Sequence, residues 1–105
     1  MVFSGGYNIY PKEIESEVDA LDGILESAVF GVPHRDFGEA VIAVVVVQQN
    51  FQVDHKALIE QLQKRLASFK CPKRIFSVDA LPRNTMGKVQ KNVLRQRFET
   101  TFTKL

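Results

Sequence analysis

The stretch "AVIAVVVVQQ" carries seven consecutive apolar residues from Val41 to Val47, five of them valine and one isoleucine. Side chains branched at Cβ are stiff at χ1 and suit a pleated surface better than a helix, so the run reads as a buried strand. A membrane-spanning helix needs roughly 20 apolar residues, which this run does not approach. A buried strand needs partners, and "ILESAVFGV", residues 24–32, has the β-branched and aromatic content to be one, closed by Gly31 and Pro33. The polar turn "PHRDFGE" separates the two, which predicts a hairpin.

The rest of the chain is read around that hairpin. Pro11 sits where a helix begins, and Ile14, Val18 and Leu21 recur at helical spacing, predicting an amphipathic helix over 11–21. Glu13, Glu15 and Glu17 form a helix-start pattern before they form a general acid/base pair. Asp54 is a good N-cap for a second helix carrying Leu58, Ile59, Leu62 and Leu66 on one stripe and ending near Ser68. Pro72 marks a new start, "KRIFSVDAL" reads as a third strand, and Pro82 stops it. A basic helix over 91–98 closes the order, with Val93, Leu94 and Phe98 facing inward. The expected fold is a small α+β two-layer sandwich: a short three-stranded sheet, about three helices and an N-terminal β turn. At 105 residues and 45% apolar content, with no repeat or break in composition, one domain over 1–105 is expected.

Residues 1–63 hold three basic and ten acidic side chains, and residues 64–105 hold eleven basic and two acidic ones, or about −7 and +9. Such a split suggests a basic face for an anionic partner, either nucleic acid or a phosphate-rich small molecule, or else a solvated surface with no ligand. The alternative, a basic nucleic-acid or acidic-protein binding module, lacks machinery elsewhere: no aromatics interleave with Arg/Lys and no helix-turn-helix or RNA-binding signature is present. Cys71 is the only cysteine, which excludes an internal disulfide, and without partners it reads as a structural bystander. No His/Cys cluster has zinc spacing, so no metal site is expected. The start "MVFSGG" carries no export signal, which makes the cytoplasm the expected location.

Three glycine-bearing turns remain: "SGGYNIYP" at 4–11, "GVPHRDFGE" at 31–39 and "PRNTMGK" at 82–88. The last is not a Walker A loop, since Pro82 replaces its first glycine and Val89 its Ser/Thr. It leaves a lysine behind a glycine: Gly87 permits close backbone approach, and Lys88 is either an ordinary surface lysine or a flexible point charge able to stabilise charge developing on oxygen. Gly5 and Gly6 can offer amides with no side chain in the way. His34, Arg35 and Asp36 read as turn chemistry rather than catalysis, and His55, in a helix's first turn, as an exposed residue.

Together, "SGGYNIYPKEIE", "ESAVFGVPHRDFGE" and "FKCPKRIFSVDALPRNTMGKVQKNVLR" closely resemble the C-terminal domain of AMP-forming acyl-CoA synthetases, in the adenylate-forming superfamily, across nearly the whole chain. The wording is most similar to malonyl-CoA synthetases. The resemblance implies a mobile lid that serves two half-reactions: a carboxylate attacks the α-phosphate of ATP, giving an acyl-adenylate and pyrophosphate, and the CoA thiol then displaces AMP. By this resemblance Lys88 matches the adenylation lysine, and Ser4, Gly5, Gly6 and Tyr7 match the loop lining the pantetheine tunnel. Lys64 is the nearest counterpart of a basic residue near CoA's phosphates, with Gln63 and Arg65 on either side. Phe37 stands where some relatives carry a basic residue before "GE", leaving Arg35 as a substitute.

The family's ATP loop, acyl pocket and hinge belong to a large N-terminal domain and are not in this sequence. The chain therefore reads as a lid cut at its hinge and inactive alone, with that N-terminal domain as partner. ATP, CoA and a carboxylic acid, malonate or methylmalonate, would be substrates of the full-length enzyme. Mg2+ would come with ATP and not be held by this domain. The same resemblance makes Lys88 a target of a protein lysine acetyltransferase and a deacetylase, with Arg83, Lys91, Arg95 and Arg97 as a docking surface.

Overall fold

The computed structural model describes residues 1–103. A short hairpin of β1 (Val2–Ser4) and β2 (Tyr7–Ile9) leads into α1 (Pro11–Asp19). There follow β3 (Ile24–His34), β4 (Gly38–Val47), α2 (His55–Gln63), a 3-10 turn at Ser68–Lys70, β5 (Arg74–Ser77) and α3 (Lys91–Phe98). The main sheet has the order β3-β4-β5, with β4 antiparallel to β3 and parallel to β5.

The central position of β4 explains its uninterrupted apolar sequence. Side chains alternate between faces along a strand. Val41, Ala43 and Val45 meet Ile14 and Val18 of α1 and Leu58 and Leu62 of α2 on one face. Ile42, Val44 and Val46 meet Phe30, Leu81 and Leu94 on the other. The α+β class and the three-stranded sheet are as expected, with the helices divided between the two faces: α1 and α2 on one, α3 on the other.

Boundaries move where backbone bonding overrides sequence pattern. The first helix stops at Asp19 rather than 21, and Leu21 is buried just beyond it. The second stops at Gln63 rather than Ser68, because the Lys64 N–H bonds back to Gln61 and Leu62 and a separate 3-10 turn follows. Strand β3 runs through Pro33 to His34; as an edge strand it tolerates the missing N–H. Strand β5 is shorter than "KRIFSVDAL", although Val78 N–H still bonds Val45 O at 2.9 Å. In α3, Leu94 is buried and Phe98 half-buried on one face, while Val93, a residue earlier, is turned outward and exposed. His55 is half-buried, its Nε2 2.6 Å from Ser77 Oγ, because α2 lies beside β5.

The charge split along the sequence is partly consumed by folding. Arg65 pairs with Glu17 at 3.9 Å, Lys70 with Glu13 at 2.8 Å, Lys91 with Glu15 at 2.8 Å, and Arg83 with Glu26. Each pair joins a base from the second half to a glutamate from the first, so the three α1 glutamates act as partners for later elements. Glu15 also accepts a hydrogen bond from Val29 N–H at 2.8 Å, satisfying a donor on the open edge of β3. The broad basic face expected from composition is correspondingly reduced.

Candidate functional site

Residues 82–90 form a tight exposed turn. Arg83 and Val89 bridge antiparallel, Gln90 N–H bonds Pro82 O at 2.8 Å, and Asn84 N–H bonds Lys88 O at 3.0 Å. Asn84 Oδ1 accepts from Met86 N–H at 2.9 Å and from Lys88 N–H at 3.0 Å. Gly87 has φ +82°, a conformation strained for any side chain with a Cβ, and its carbonyl accepts from Arg83 Nη1 at 2.7 Å. The other arm of the Arg83 guanidinium reaches Glu26 on β3. The main chain under Lys88 is thus stapled to itself and to the sheet, and the freedom lies in the side chain. Lys88 is exposed and in no ion pair among the described residues. Such a cation can be presented to anionic oxygens without first breaking a bond.

A second constellation lies at the other end of the β3–β4 hairpin. Gly5 and Gly6, at φ +56° and +87°, make the two-residue turn between Ser4 and Tyr7. Gly5 N–H donates to Phe37 O at 3.1 Å, docking that turn onto the one between β3 and β4. Tyr7 stacks on Phe69 with centroids 4.2 Å apart and planes 17° from parallel. Ser4, Gly5 and Tyr7 line one side of a groove of about 380 Å³, with Phe37, Phe69 and Lys73 among the residues around it. Lys73 Nζ lies 4.4 Å from the Phe37 ring centroid, a cation–π arrangement that brings positive charge to Phe37.

Cys71 borders the same groove. Its Sγ lies 3.6 Å from Ala67 O and 3.8 Å from Leu66 O, and burial pushes the thiol's pKa up, which disfavours the nucleophilic thiolate. Of the residues expected to line a tunnel, Ser4, Gly5 and Tyr7 are together there and Gly6 is not among the lining residues; Lys64, expected near CoA's phosphates, lies outside the lining. Lys64 is exposed at the C-terminus of α2. Phe69 and Lys73 were not singled out by sequence, and Cys71 was read only as a structural bystander. They sit in "FKCPK", which has no periodicity, and only the 3-10 turn brings them to the glycine hairpin.

The two constellations share one rigid frame. Arg83 anchors the Lys88 turn at Glu26, and Phe37 follows His34 at the opposite end of β3; eight residues at about 3.3 Å each separate Glu26 from His34 by about 26 Å.

With that geometry in place, residues 13–88 match the AMP-binding enzyme C-terminal domain, most of the chain. The chain belongs to this family. This AMP-binding enzyme C-terminal domain is 42% identical over 104 residues to the long-chain-fatty-acid–CoA ligase FadD13 of Mycobacterium tuberculosis, covering 99% of this chain and 20% of that protein. It is 42% identical over 98 residues to feruloyl-CoA synthase of an Amycolatopsis species, covering 93% and 20%. Among solved structures, ATP-bound MatB from Rhodopseudomonas palustris superposes with a TM-score of 0.95 at 54% identity, over 98% of this domain and 20% of that chain. The domain spans about a fifth of the length of the curated relatives it matches.

Proposed function

We propose that the domain is the C-terminal lid of an ATP-dependent, AMP-forming acid–CoA ligase, with Lys88 as its adenylation lysine and the groove beside Gly5 as part of its CoA tunnel. The observation that carries this reading is the exposed Lys88 ammonium, in no ion pair among the described residues, on a stapled turn. In adenylation two anions meet: a carboxylate oxygen attacks the α-phosphorus of ATP and pyrophosphate departs. A cation bridging the carboxylate and the phosphate oxygens lowers that barrier without taking or giving a proton. In the second step the CoA sulfur attacks the acyl carbon and AMP leaves. A glycine hairpin walled by Tyr7, Phe69 and Phe37 suits a narrow pantetheine arm, Lys73 offers a charge at its mouth, and Lys64 is assigned to phosphates outside the groove.

Malonate or methylmalonate is the proposed acid. The motif wording and the 54% identity to MatB, against 42% to FadD13, favour it over long fatty acids. The test joins this domain to the N-terminal part of Rhodopseudomonas palustris MatB. The isolated domain should give no malonyl-CoA from malonate, ATP and CoA. The fusion should release pyrophosphate, and Lys88→Ala should slow that release at least about a hundredfold. Conversion of preformed malonyl-adenylate and CoA to malonyl-CoA should persist in the variant. Equal loss of both steps, or of neither, would refute the assignment.

The exposure of Lys88 favours a second role, as an acetylation site read by an acetyltransferase and a deacetylase. Acetylation would remove the cation and leave the turn intact. Arg95 and Arg97 remain available for docking, whereas Arg83 and Lys91 are engaged by Glu26 and Glu15. Mass spectrometry after incubation with acetyl-CoA and an acetyltransferase should find Lys88 modified first, and preference for another lysine would count against this role.

A further inference from the structure

His34 is the last residue of β3, half-buried, and its imidazole does three things at once. Its Nδ1 faces Asp36 N–H at 3.0 Å and Phe37 N–H at 3.3 Å, so in the geometry observed it is an acceptor for two main-chain donors. Its ring stacks on Phe37 at 4.5 Å, and it packs against Phe102 at 5.1 Å, beyond the end of α3. The turn that it closes is the one whose Phe37 carbonyl receives Gly5 N–H and whose Phe37 ring borders the groove.

We propose that His34 is a positioning residue for the CoA step: its Nδ1 lone pair fixes the Asp36–Phe37 backbone, Phe37 fixes the Gly5–Gly6 hairpin, and the groove keeps its shape only while that chain of bonds is intact. The inference rests on the ligase reading for its functional part and on the bonding itself for its structural part. His34 touches no reacting atom. It acts through Phe37 and Gly5, at the end of the sheet remote from Lys88, so its removal should weaken the CoA step and leave adenylation alone.

The chemistry of the ring gives a specific signature. A neutral imidazole offers one acceptor nitrogen, and a protonated one offers none. Protonation would set an N–H at Nδ1 against two other N–H groups. The charged groups around the ring are Arg35 and Asp36 on the turn, Glu39 on β4, and Lys73 and Arg74, whose side chains lie over the Phe37 and Phe102 rings that flank His34. Asparagine at this position has a carbonyl oxygen that can accept both turn amides and has no proton to gain there.

The experiment has two arms. In the isolated chain, amide hydrogen exchange at Gly5 should be about tenfold faster in His34→Ala and near its native rate in His34→Asn. In the fusion with the MatB N-terminal part, His34→Ala should raise KM for CoA about tenfold, with the rate of pyrophosphate release unchanged. In the same fusion His34→Asn should keep KM for CoA near the native value, because its carbonyl oxygen still accepts both turn amides. Unchanged Gly5 exchange in His34→Ala would overturn the proposal. So would faster exchange with an unaltered KM for CoA, or an equal fall in both half-reactions. A native fusion that does not adenylate would sink the ligase reading instead, and the exchange arm would then decide the role of His34 in the turn by itself.

Discussion

Replacing Glu15 by alanine should be among the most damaging changes at any incompletely buried position of this domain. Its carboxylate accepts from Val29 N–H at 2.8 Å on the open edge of β3 and from Lys91 Nζ at 2.8 Å on α3, so one side chain joins a helix on one face of the sheet to a helix on the other. Hydrogen bonds to charged groups contribute about 1.5–3 kcal/mol. The ion pair is accessible to solvent, with side-chain exposures of 31% for Lys91 and 18% for Glu15. It should add only about 0.5 kcal/mol after screening. The expected loss is about 2–3 kcal/mol, read as a urea midpoint lower by about 2–3 M at an m-value of about 1 kcal/mol/M, with the slope unchanged. Glu15→Gln keeps an acceptor for Val29 and should lose about 1 kcal/mol, and Lys91→Ala less than that. If Glu15→Ala costs no more than Lys91→Ala, the carboxylate is not what satisfies the strand edge, and the reasoning fails.

Three further outcomes are expected. Gly31→Ala should cost about 1–3 kcal/mol in the same assay, because its Cβ would lie 2.8 Å from Val2 Cγ1 and 2.9 Å from Glu39 Oε2 and would push β1 off the sheet. Phe30→Ala, at a fully buried position against Leu94 and Phe98, should cost about 3–5 kcal/mol and lower the melting temperature accordingly. Cys71 should react with a disulfide reagent at pH 8 far more slowly in the folded than in the urea-unfolded chain, since burial both covers the thiol and raises its pKa. Because the folded pKa lies above the unfolded one, the thiol's contribution to stability is complete below the unfolded value and is lost as pH rises through the folded one.

The β3–β4 hairpin, the Pro11 helix start and the Asp54 cap were legible because each depends on local chemistry: β-branching, a fixed φ, a side-chain oxygen three bonds from the backbone. The glutamates of α1 were legible only as a helix pattern. Their partners lie 48 to 76 residues later, at Arg65, Lys70 and Lys91, and a sequence read along its length cannot weigh a pair that exists only after the sheet has formed. The same limit applies to the groove. Ser4, Gly5 and Tyr7 announce themselves by glycine, whereas Phe69 and Lys73 have no pattern and acquire a place only through the 3-10 turn that folds them toward Tyr7. In the Lys88 turn, Gly87 pointed to close backbone approach and said nothing of what holds the loop. Asn84 and Arg83 instead supply the bonds that hold the main chain, so that only the side chain is free.

The separation of the two constellations bears directly on the proposed ligase reading. On that reading, adenylation and thioester formation act in turn on the same carboxyl group, first at its oxygen and then at its carbon, so the lysine and the tunnel must serve one cleft. Yet the Lys88 turn and the Gly5 hairpin are fixed to opposite ends of a strand, about 26 Å apart, in a domain whose longest extent is 37 Å. Bending cannot bring them together: β4 between them is covered on both faces, and the residues that would have to yield are the fully buried core. On the ligase reading, a domain built this way can present one end or the other only by turning as a unit. It follows that cross-linking the lid to its N-terminal partner through a cysteine placed beside Lys88 should preserve adenylation and stop CoA transfer, and a cross-link beside Gly6 should do the reverse. A single cross-linked species competent in both steps would show that the two ends do not alternate.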